Sequence, residues 1–185
     1  HVGPWLFTVC RNRALDIQPS HGMTLKSRGR FKLLLGESQG AKNDFERALE
    51  STPKDAYLYF LIGLADLELD RLRDALNAFN NALAIDSKNV SALWKRAQVY
   101  QTLGRNDDAE KDYSKALTID PDFVPAIVDR ALILYKKNDY WGAIIEGNRA
   151  LKIEAGNVKA LYCRGVSYLK LFKHSKALRD FEAIL

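Results

Sequence analysis

The side chains able to do acid–base, nucleophilic or metal chemistry are few in this sequence and lie far apart. The three histidines are His1, His21 and His174, and the two cysteines are Cys10 and Cys163. No GxSxG, no HExxH and no phosphate-binding glycine loop followed by Lys-Ser/Thr accompanies them. An imidazole without such partners is more often a packed ring than a general base or a metal ligand. We therefore predict no catalytic residue, no cofactor and no metal site, and we expect that the protein is not an enzyme.

The remaining charges are typical of solvated helices. Asp107 and Asp108 stand at the start of a predicted helix, where negative charge favours the helix dipole. A formal charge of +5 permits acidic partners without predicting nucleic acid as a ligand. No apolar run approaches about eighteen residues, so we predict no membrane span. Two distant cysteines without a CxxC motif indicate thiols in a reducing compartment, so we expect an intracellular, cytoplasmic protein.

A repeat of 34 residues organises the chain. A small residue opens each period, an alanine follows twelve positions later, and a mostly aromatic position comes four residues after that. Apolar residues at helical spacing predict two amphipathic helices in each period, joined by a turn near Gly36, Asp70, Gly104 and Asn138. A single hairpin of this kind cannot bury its apolar face alone, so the pattern predicts a stacked array. The three columns are Gly29, Gly63, Ala97, Ala131 and Gly165; Ala41, Ala75, Ala109, Ala143 and Ala177; and Phe45, Phe79, Tyr113, Gly147 and Phe181.

This pattern resembles the tetratricopeptide repeat family over essentially the whole chain. The resemblance implies an all-α fold, a right-handed α-solenoid of antiparallel helical hairpins. We place the units at 22–55, 56–89, 90–123, 124–157 and 158–185, the last one shortened. Residues 1–21 resemble the second helix of a preceding partial unit, because the segment from Ala14 to Pro19 repeats the unit ending at residues 116–121. We therefore expect this sequence to be a piece of a longer array.

The resemblance also implies where a ligand binds, since in this family the first helix of each unit lines the concave surface. Helical spacing then predicts which side chains point inward. The middle of this groove is aromatic and aliphatic and its ends carry cations, which fits a peptide or helical segment with apolar anchors and acidic flanks. The alternative is that the apolar members pack between neighbouring hairpins. The predicted partner-binding residues are Lys26, Arg30, Tyr57, Phe60, Leu61, Leu64, Trp94, Lys95, Gln98, Val128, Lys159 and Tyr162.

Two more specific ligands fit the sequence less well. Some members of the family bind acidic chaperone tails through a two-carboxylate clamp, but its asparagines are missing here, where Arg30 and Leu61 stand. If the clamp pattern is shifted along the chain by whole repeats, Asp129 occupies one of its positions, and its negative charge would repel a carboxylate. A basic ridge for nucleic acid is disfavoured because acids are interspersed along it and no aromatic platform follows it. We expect the ridge arginines to cover the hairpin interface with their stems while their heads reach solvent; they are Arg28, Arg96, Arg130 and Arg164.

The fourth unit departs from the repeat at Gly147, which replaces the aromatic residue and follows Gly142 in the same helix. Two glycines cost a helix about 1 kcal/mol each relative to alanine. Three explanations fit: Trp141 fills the missing aromatic volume, Gly147 allows closer approach of the next hairpin, or a partner inserts there.

Together these features predict a non-catalytic scaffold or adaptor for protein–protein interaction that holds a peptide or helical segment in its concave groove. The alternative is an architectural segment of a large multiprotein assembly, contacting its neighbours by its edges and convex face. Under the first hypothesis Tyr57, Phe60, Trp94 and Tyr162 supply binding energy rather than fold stability. Trp94→Ala is then expected to weaken a partner and leave the melting temperature nearly unchanged.

Overall fold

A computed structural model describes residues 22–185, and every regular element within this range is an α-helix. The predicted partial unit at residues 1–21 lies outside the described residues. The all-α class predicted from the sequence is confirmed. The helices are α1 Gly22–Leu34, α2 Ser38–Ser51, α3 Ala56–Glu68, α4 Leu72–Ile85, α5 Val90–Thr102, α6 Asn106–Ile119, α7 Val124–Lys136, α8 Tyr140–Ile153, α9 Val158–Lys170 and α10 His174–Glu182.

The chain divides into two compact units, His1–Ser87 and Lys88–Leu185. In the described part of the first unit, α1 pairs with α2 and α3 pairs with α4, while α2 packs against α3. In the second unit the hairpins α5–α6, α7–α8 and α9–α10 stack in chain order. First helices also touch one another, α5 with α7 and α7 with α9. Helices α5, α7 and α9 therefore form a common surface, the first-helix face of the second unit.

Each hairpin turns at one residue with a positive φ. The turn residues are Gly36, Asp70, Gly104, Asn138 and Phe172, with φ angles from 56° to 76°. A left-handed residue ends a helix because it redirects the chain, and glycine or asparagine adopts it at little cost. The first four coincide with the turns expected from the sequence. In the fifth turn the bulky residue Phe172 has this left-handed conformation, and it is 82% exposed.

The small-residue column and the aromatic column meet inside the hairpins. A Cβ built on Gly63 would lie 2.5 Å from a ring carbon of Phe79, and one on Gly165 would lie 2.7 Å from Phe181. Phe79 is fully buried. Glycine at these positions is therefore a packing requirement, because a methyl group would overlap the ring.

Gly147 is explained by the approach of the next hairpin. A Cβ there would lie 3.1 Å from Cβ of Arg164 on α9. Trp141 does not fill the missing aromatic volume, since its side chain is 54% exposed. The ammonium group of Lys173 instead lies 3.9 Å from the centroid of the Trp141 ring. Of the three explanations for this glycine, the structure supports the close approach.

The arginines that recur in the first helices form ion pairs with acids on the second helix of the same hairpin; they are Arg28, Arg96, Arg130 and Arg164. Arg96 donates two hydrogen bonds to Asp112, at 2.6 and 2.7 Å, and Arg164 donates two to Asp180, at 2.9 and 2.5 Å. The Asp112 side chain is 9% exposed and that of Asp180 is 6% exposed. The prediction that the arginine heads reach solvent is therefore wrong, because the buried carboxylates bind them. Hydrogen bonding to Asp180 raises the pKa of Arg164.

The other hairpins vary this contact. Arg28 pairs with Asp44, and although burial acts to raise the pKa of Asp44, hydrogen bonds from Arg28 and Lys32 hold that pKa below its ordinary value. Arg130 donates one bond to Glu146 at 2.5 Å, while Nε of Arg130 and Oε2 of Glu146 are buried without hydrogen-bond partners. In hairpin α3–α4 the two positions are apolar, Ile62 and Ala78. The fold thus accommodates a charged or an apolar pair at one site.

Candidate functional site

The predicted binding residues of the first unit are partly used by the fold itself. Leu61 is only 4% exposed and belongs to the hydrophobic core that α1, α2, α3 and α4 share. Leu64 is partly buried and packs against the same core. The assignment of Leu61 to a partner surface is therefore corrected, because its side chain faces neighbouring helices. The alternative stated for the apolar groove residues, packing between hairpins, holds for this position.

Three of the other predicted residues of this unit, Lys26, Tyr57 and Phe60, contact one another in series. The ammonium group of Lys26 donates to Asp55 at 2.7 Å and lies 4.9 Å from the Tyr57 ring centroid. The Phe60 ring lies 6.1 Å from the Tyr57 ring and 5.9 Å from that of Phe79. Tyr57 and Arg30 are exposed. This surface has aromatic and cationic groups, but its lysine already has a carboxylate partner.

The second unit contains a pocket of about 390 Å³ on its first-helix face. It brings together three predicted binding residues, Trp94 on α5, Val128 on α7 and Lys159 on α9. Val124 and Pro125 extend its apolar wall along α7, and carboxylates of Asp129 and Glu154 also line it. A concave, mostly apolar site with a few polar groups is the usual form of a ligand site.

The pocket lies where the fourth unit departs from the repeat. Position 128 is equivalent to Lys26, Phe60, Trp94 and Tyr162 in the other repeats. Valine is smaller than the aromatic residues of the second, third and fifth units, and it leaves space beside Trp94. Phe123 occupies the position at which α3, α5 and α9 have the capping residues Asp55, Asn89 and Asn157, and α7 has no side-chain cap. Such a cap contributes about 1 kcal/mol. The Phe123 ring instead packs edge-on against Trp94, with centroids 5.6 Å apart, and so helps to orient the indole.

Asp129 is the polar centre of this site, and sequence reasoning did not assign it to binding. It is 8% exposed, and its Oδ2 accepts hydrogen bonds from Nε1 of Trp94 at 2.7 Å and from Nε2 of Gln98 at 3.0 Å. Among residues 22–185, Oδ1 has no hydrogen-bond partner and no cation lies within 4.0 Å of this carboxylate. The sequence signal was a carboxylate in a column that elsewhere holds Ser27, Leu61, Lys95 and Cys163.

The same contacts change the expectation for Trp94. Its indole N–H satisfies a buried carboxylate, so Trp94→Ala would leave Asp129 with one fewer donor as well as a cavity. We therefore expect Trp94→Ala to lower the free energy of unfolding, unlike the small effect expected from the sequence, because this side chain is part of a buried polar contact.

Two lysines flank this centre. Nζ of Lys95 lies 4.1 Å from the Trp94 ring centroid and donates to Oε1 of Gln98 at 3.1 Å. Burial lowers the pKa of Lys95; Asp129 acts to raise that pKa and Lys159 to lower it. Lys159 is exposed. Tyr162, 54% exposed, lies one turn farther along α9, with its ring centroid 6.4 Å from that of Phe181. Five of the predicted binding residues therefore lie around Asp129: Trp94, Lys95, Gln98, Val128 and Lys159. Tyr162 is not part of the pocket lining.

Within residues 22–185 no group of three or more His, Cys, Asp and Glu side chains is placed to hold a metal ion. None of the helices described in this range is long and apolar enough to cross a membrane.

Comparison with known proteins identifies the repeat. The sequence profile of the tetratricopeptide repeat family matches residues 60–122. No curated protein sequence matches the chain. Among solved structures, MamA from Desulfovibrio magneticus RS-1 is similar with a TM-score of 0.80 at 14% identity, covering 90% of this chain and 94% of that one.

Two further structures have the same fold. One is YrrB, described as a TPR protein with an unusual peptide-binding site, with a TM-score of 0.72, 16% identity and coverage of 99% of this chain and 91% of that one. The other is a tetratricopeptide repeat protein from Parabacteroides merdae, with a TM-score of 0.78, 21% identity and coverage of 87% and 64%. Residues 60–122 therefore match the tetratricopeptide repeat family, and the described helices share the fold of these solved structures.

Proposed function

We propose that the protein is a non-catalytic scaffold or adaptor that holds a peptide or helical segment of a partner on the first-helix face of its second unit. The observation that carries this proposal is the pocket beside Trp94, where three separate first helices contribute side chains. Tetratricopeptide repeats serve protein–protein interaction, and the description of YrrB includes a peptide-binding site. An exposed tyrosine one turn from the pocket, Tyr162, adds an aromatic contact of the kind common at binding hot spots.

The chemistry of this face favours a partner with apolar anchors and acidic flanks. Val124, Pro125 and Val128 offer apolar walls, and the exposed Lys159 at the edge offers a cation to an acidic residue. A chaperone tail that presents two carboxylates fits poorly, because the carboxylates of Asp129 and Glu154 line the pocket and would repel them. Nucleic acid also fits poorly, because carboxylates bind the arginines of the repeat. We place the protein inside the cell, with the buried thiol of Cys163 as support.

The second candidate is an architectural role, and exposed apolar side chains on second helices favour it. Trp141 and Ile145 on α8 are 54% and 63% exposed, and Leu178 on α10 is 58% exposed. Apolar groups of this size on the surface mark contact sites when they are contiguous. In this role the neighbours would bind second helices and leave the pocket empty.

Filling the pocket separates the two candidates. Val128 is 2% exposed and lines the pocket, and Val128→Tyr introduces there the kind of ring that Phe60 and Tyr162 carry at the equivalent positions of other repeats. Lys115→Tyr adds the same ring to an exposed position of second helix α6 and serves as the matched control. Wild type and both variants, checked for equal helicity by circular dichroism, are used to capture partners from lysate, and bound proteins are quantified by mass spectrometry.

We expect the same partners with wild type and Lys115→Tyr, and their loss with Val128→Tyr. Partners retained by Val128→Tyr would refute binding at the first-helix face. Partners lost from Lys115→Tyr alone would support the architectural role instead.

A further inference from the structure

The pocket contains an anionic group that the proposed apolar anchor does not use. Asp129 is 8% exposed and lines the pocket, and its Oδ2 accepts both of its hydrogen bonds, from Trp94 and Gln98. Its Oδ1 accepts none from residues 22–185 and is not among the fully buried atoms, so it is accessible to solvent. Oδ1 is therefore available to a donor on a bound ligand.

Resting on the proposed function, we infer that the anchor entering this pocket is the side chain of a lysine or arginine. Its aliphatic stem packs against Trp94 and Val128, and its cationic head donates to Oδ1 of Asp129. The long stem and charged tip of these residues match a site with apolar walls and one buried carboxylate. A charge-assisted hydrogen bond to a carboxylate is roughly twice as strong as a neutral one.

The charges around the pocket support a cation rather than an anion. Asp129 and Glu154 line it, and Lys159 is the one cation among its lining residues in the described chain. Lys159 is exposed, so solvent screens its repulsion of a bound cation. Lys95 is the other nearby cation, and its ammonium group is held by Gln98 and the Trp94 ring instead of Asp129. Within residues 22–185 the Asp129 carboxylate thus forms no direct ion pair, and Lys95 acts on it only at longer range.

The pocket is large enough to admit a long side chain. Its volume of about 390 Å³ is near the lower end of the usual range for ligand sites, about 300–1,000 Å³. A peptide would place a single long residue here while its neighbours lie along α7 and α9. An acidic residue beside that anchor would reach Lys159 at the edge, which agrees with the acidic flanks proposed above.

Small probes test the chemistry of the pocket without a partner protein. The full chain, labelled with ¹⁵N, is titrated with n-butylguanidinium and n-butylammonium chloride, and in parallel with sodium pentanoate and with sodium chloride as an ionic-strength control. The indole N–H resonance of Trp94, assigned by its loss in Trp94→Phe, reports directly on the carboxylate because that group donates to Asp129.

We expect a saturable shift of this resonance with both cations at millimolar concentrations and none with pentanoate. Asp129→Asn keeps the shape of the side chain and should weaken the cation effect about tenfold or more. Asp122→Asn, an exposed carboxylate in the turn before α7, should leave it unchanged. If Asp129→Asn does not fold, the comparison of cations with pentanoate in wild type still decides the matter.

A shift with pentanoate equal to that with the cations, or no saturable shift with either cation, would overturn this inference. Neither result depends on partner capture, so the proposed scaffold function would stand if Val128→Tyr still abolished binding. Conversely, capture that persists with Val128→Tyr would refute the proposed function even if the small cations bind.

Discussion

Replacing the Arg96–Asp112 pair by apolar residues should cost less than the sum of removing each partner alone. Arg96 donates two hydrogen bonds to Asp112 across hairpin α5–α6, at 2.6 and 2.7 Å. Ile62 and Ala78 occupy the equivalent positions of hairpin α3–α4, and both are buried. The chain therefore contains its own apolar version of the contact, which can be transplanted as Arg96→Ile/Asp112→Ala.

The expected magnitudes follow from burial. Removing one partner of a fully buried pair costs about 3–5 kcal/mol, because the other charge stays buried and unpaired. The Arg96 side chain is 19% exposed and that of Asp112 is 9% exposed, so water relieves part of this penalty. We expect a loss of about 3 kcal/mol for Asp112→Ala and about 2 kcal/mol for Arg96→Ile. The double variant should lose only about 2 kcal/mol, which gives a coupling energy of about 3 kcal/mol.

The free energies of unfolding are measured by urea titration with circular dichroism for wild type, the two single variants and the double variant. The m-values must agree, since repeat arrays can unfold in steps and then no single free energy is defined. Lys115→Ala, an exposed change on α6, is the control for helix effects. A double variant that loses the full sum of the single losses, about 5 kcal/mol, would refute the reasoning, because the two side chains would then act independently.

Two other changes test the turns and the core. Phe172 has φ 58°, a left-handed conformation that costs a residue with a side chain roughly 1–2 kcal/mol, so Phe172→Gly should raise the free energy of unfolding by about 1 kcal/mol. Phe172→Ala keeps the Cβ atom and should gain little; an equal gain for both variants would show that strain is not the cause. Burial raises the pKa of the Cys163 thiol to about 12. In a Cys10→Ser protein this thiol should therefore stay unmodified by a disulfide reagent up to about pH 9 and react on unfolding in urea, whereas rapid reaction of the native protein would contradict its burial.

Much of the fold could be predicted from the sequence because its determinants are local and repeated. Helical periodicity fixes which side of a helix is apolar, and Gly36 and Asn138 mark turns through their tolerance of positive φ. The contact between the small and aromatic columns was likewise predictable, since a small residue and an aromatic residue, such as Gly63 and Phe79, recur at fixed separation in every period but the fourth.

The candidate site was only partly predictable. Helical spacing placed Trp94, Val128 and Lys159 on one face, and the structure brings them to one pocket. Leu61 and Asp129 occupy equivalent positions in their repeats, yet the first is packed in a core and the second accepts a hydrogen bond from Trp94. Nothing in the position within the repeat distinguishes these environments.

By itself the sequence determined the hairpins, their turns and the set of side chains on each helix face. Only the tertiary structure decided that Arg96 binds Asp112, that Leu61 is covered, and that Val128 leaves a pocket beside a carboxylate. The reason is geometric: a period of about 3.6 residues fixes the direction of a side chain about its own helix. The distance to the next helix, and hence burial and pairing, depends on how the side chains of both helices pack together.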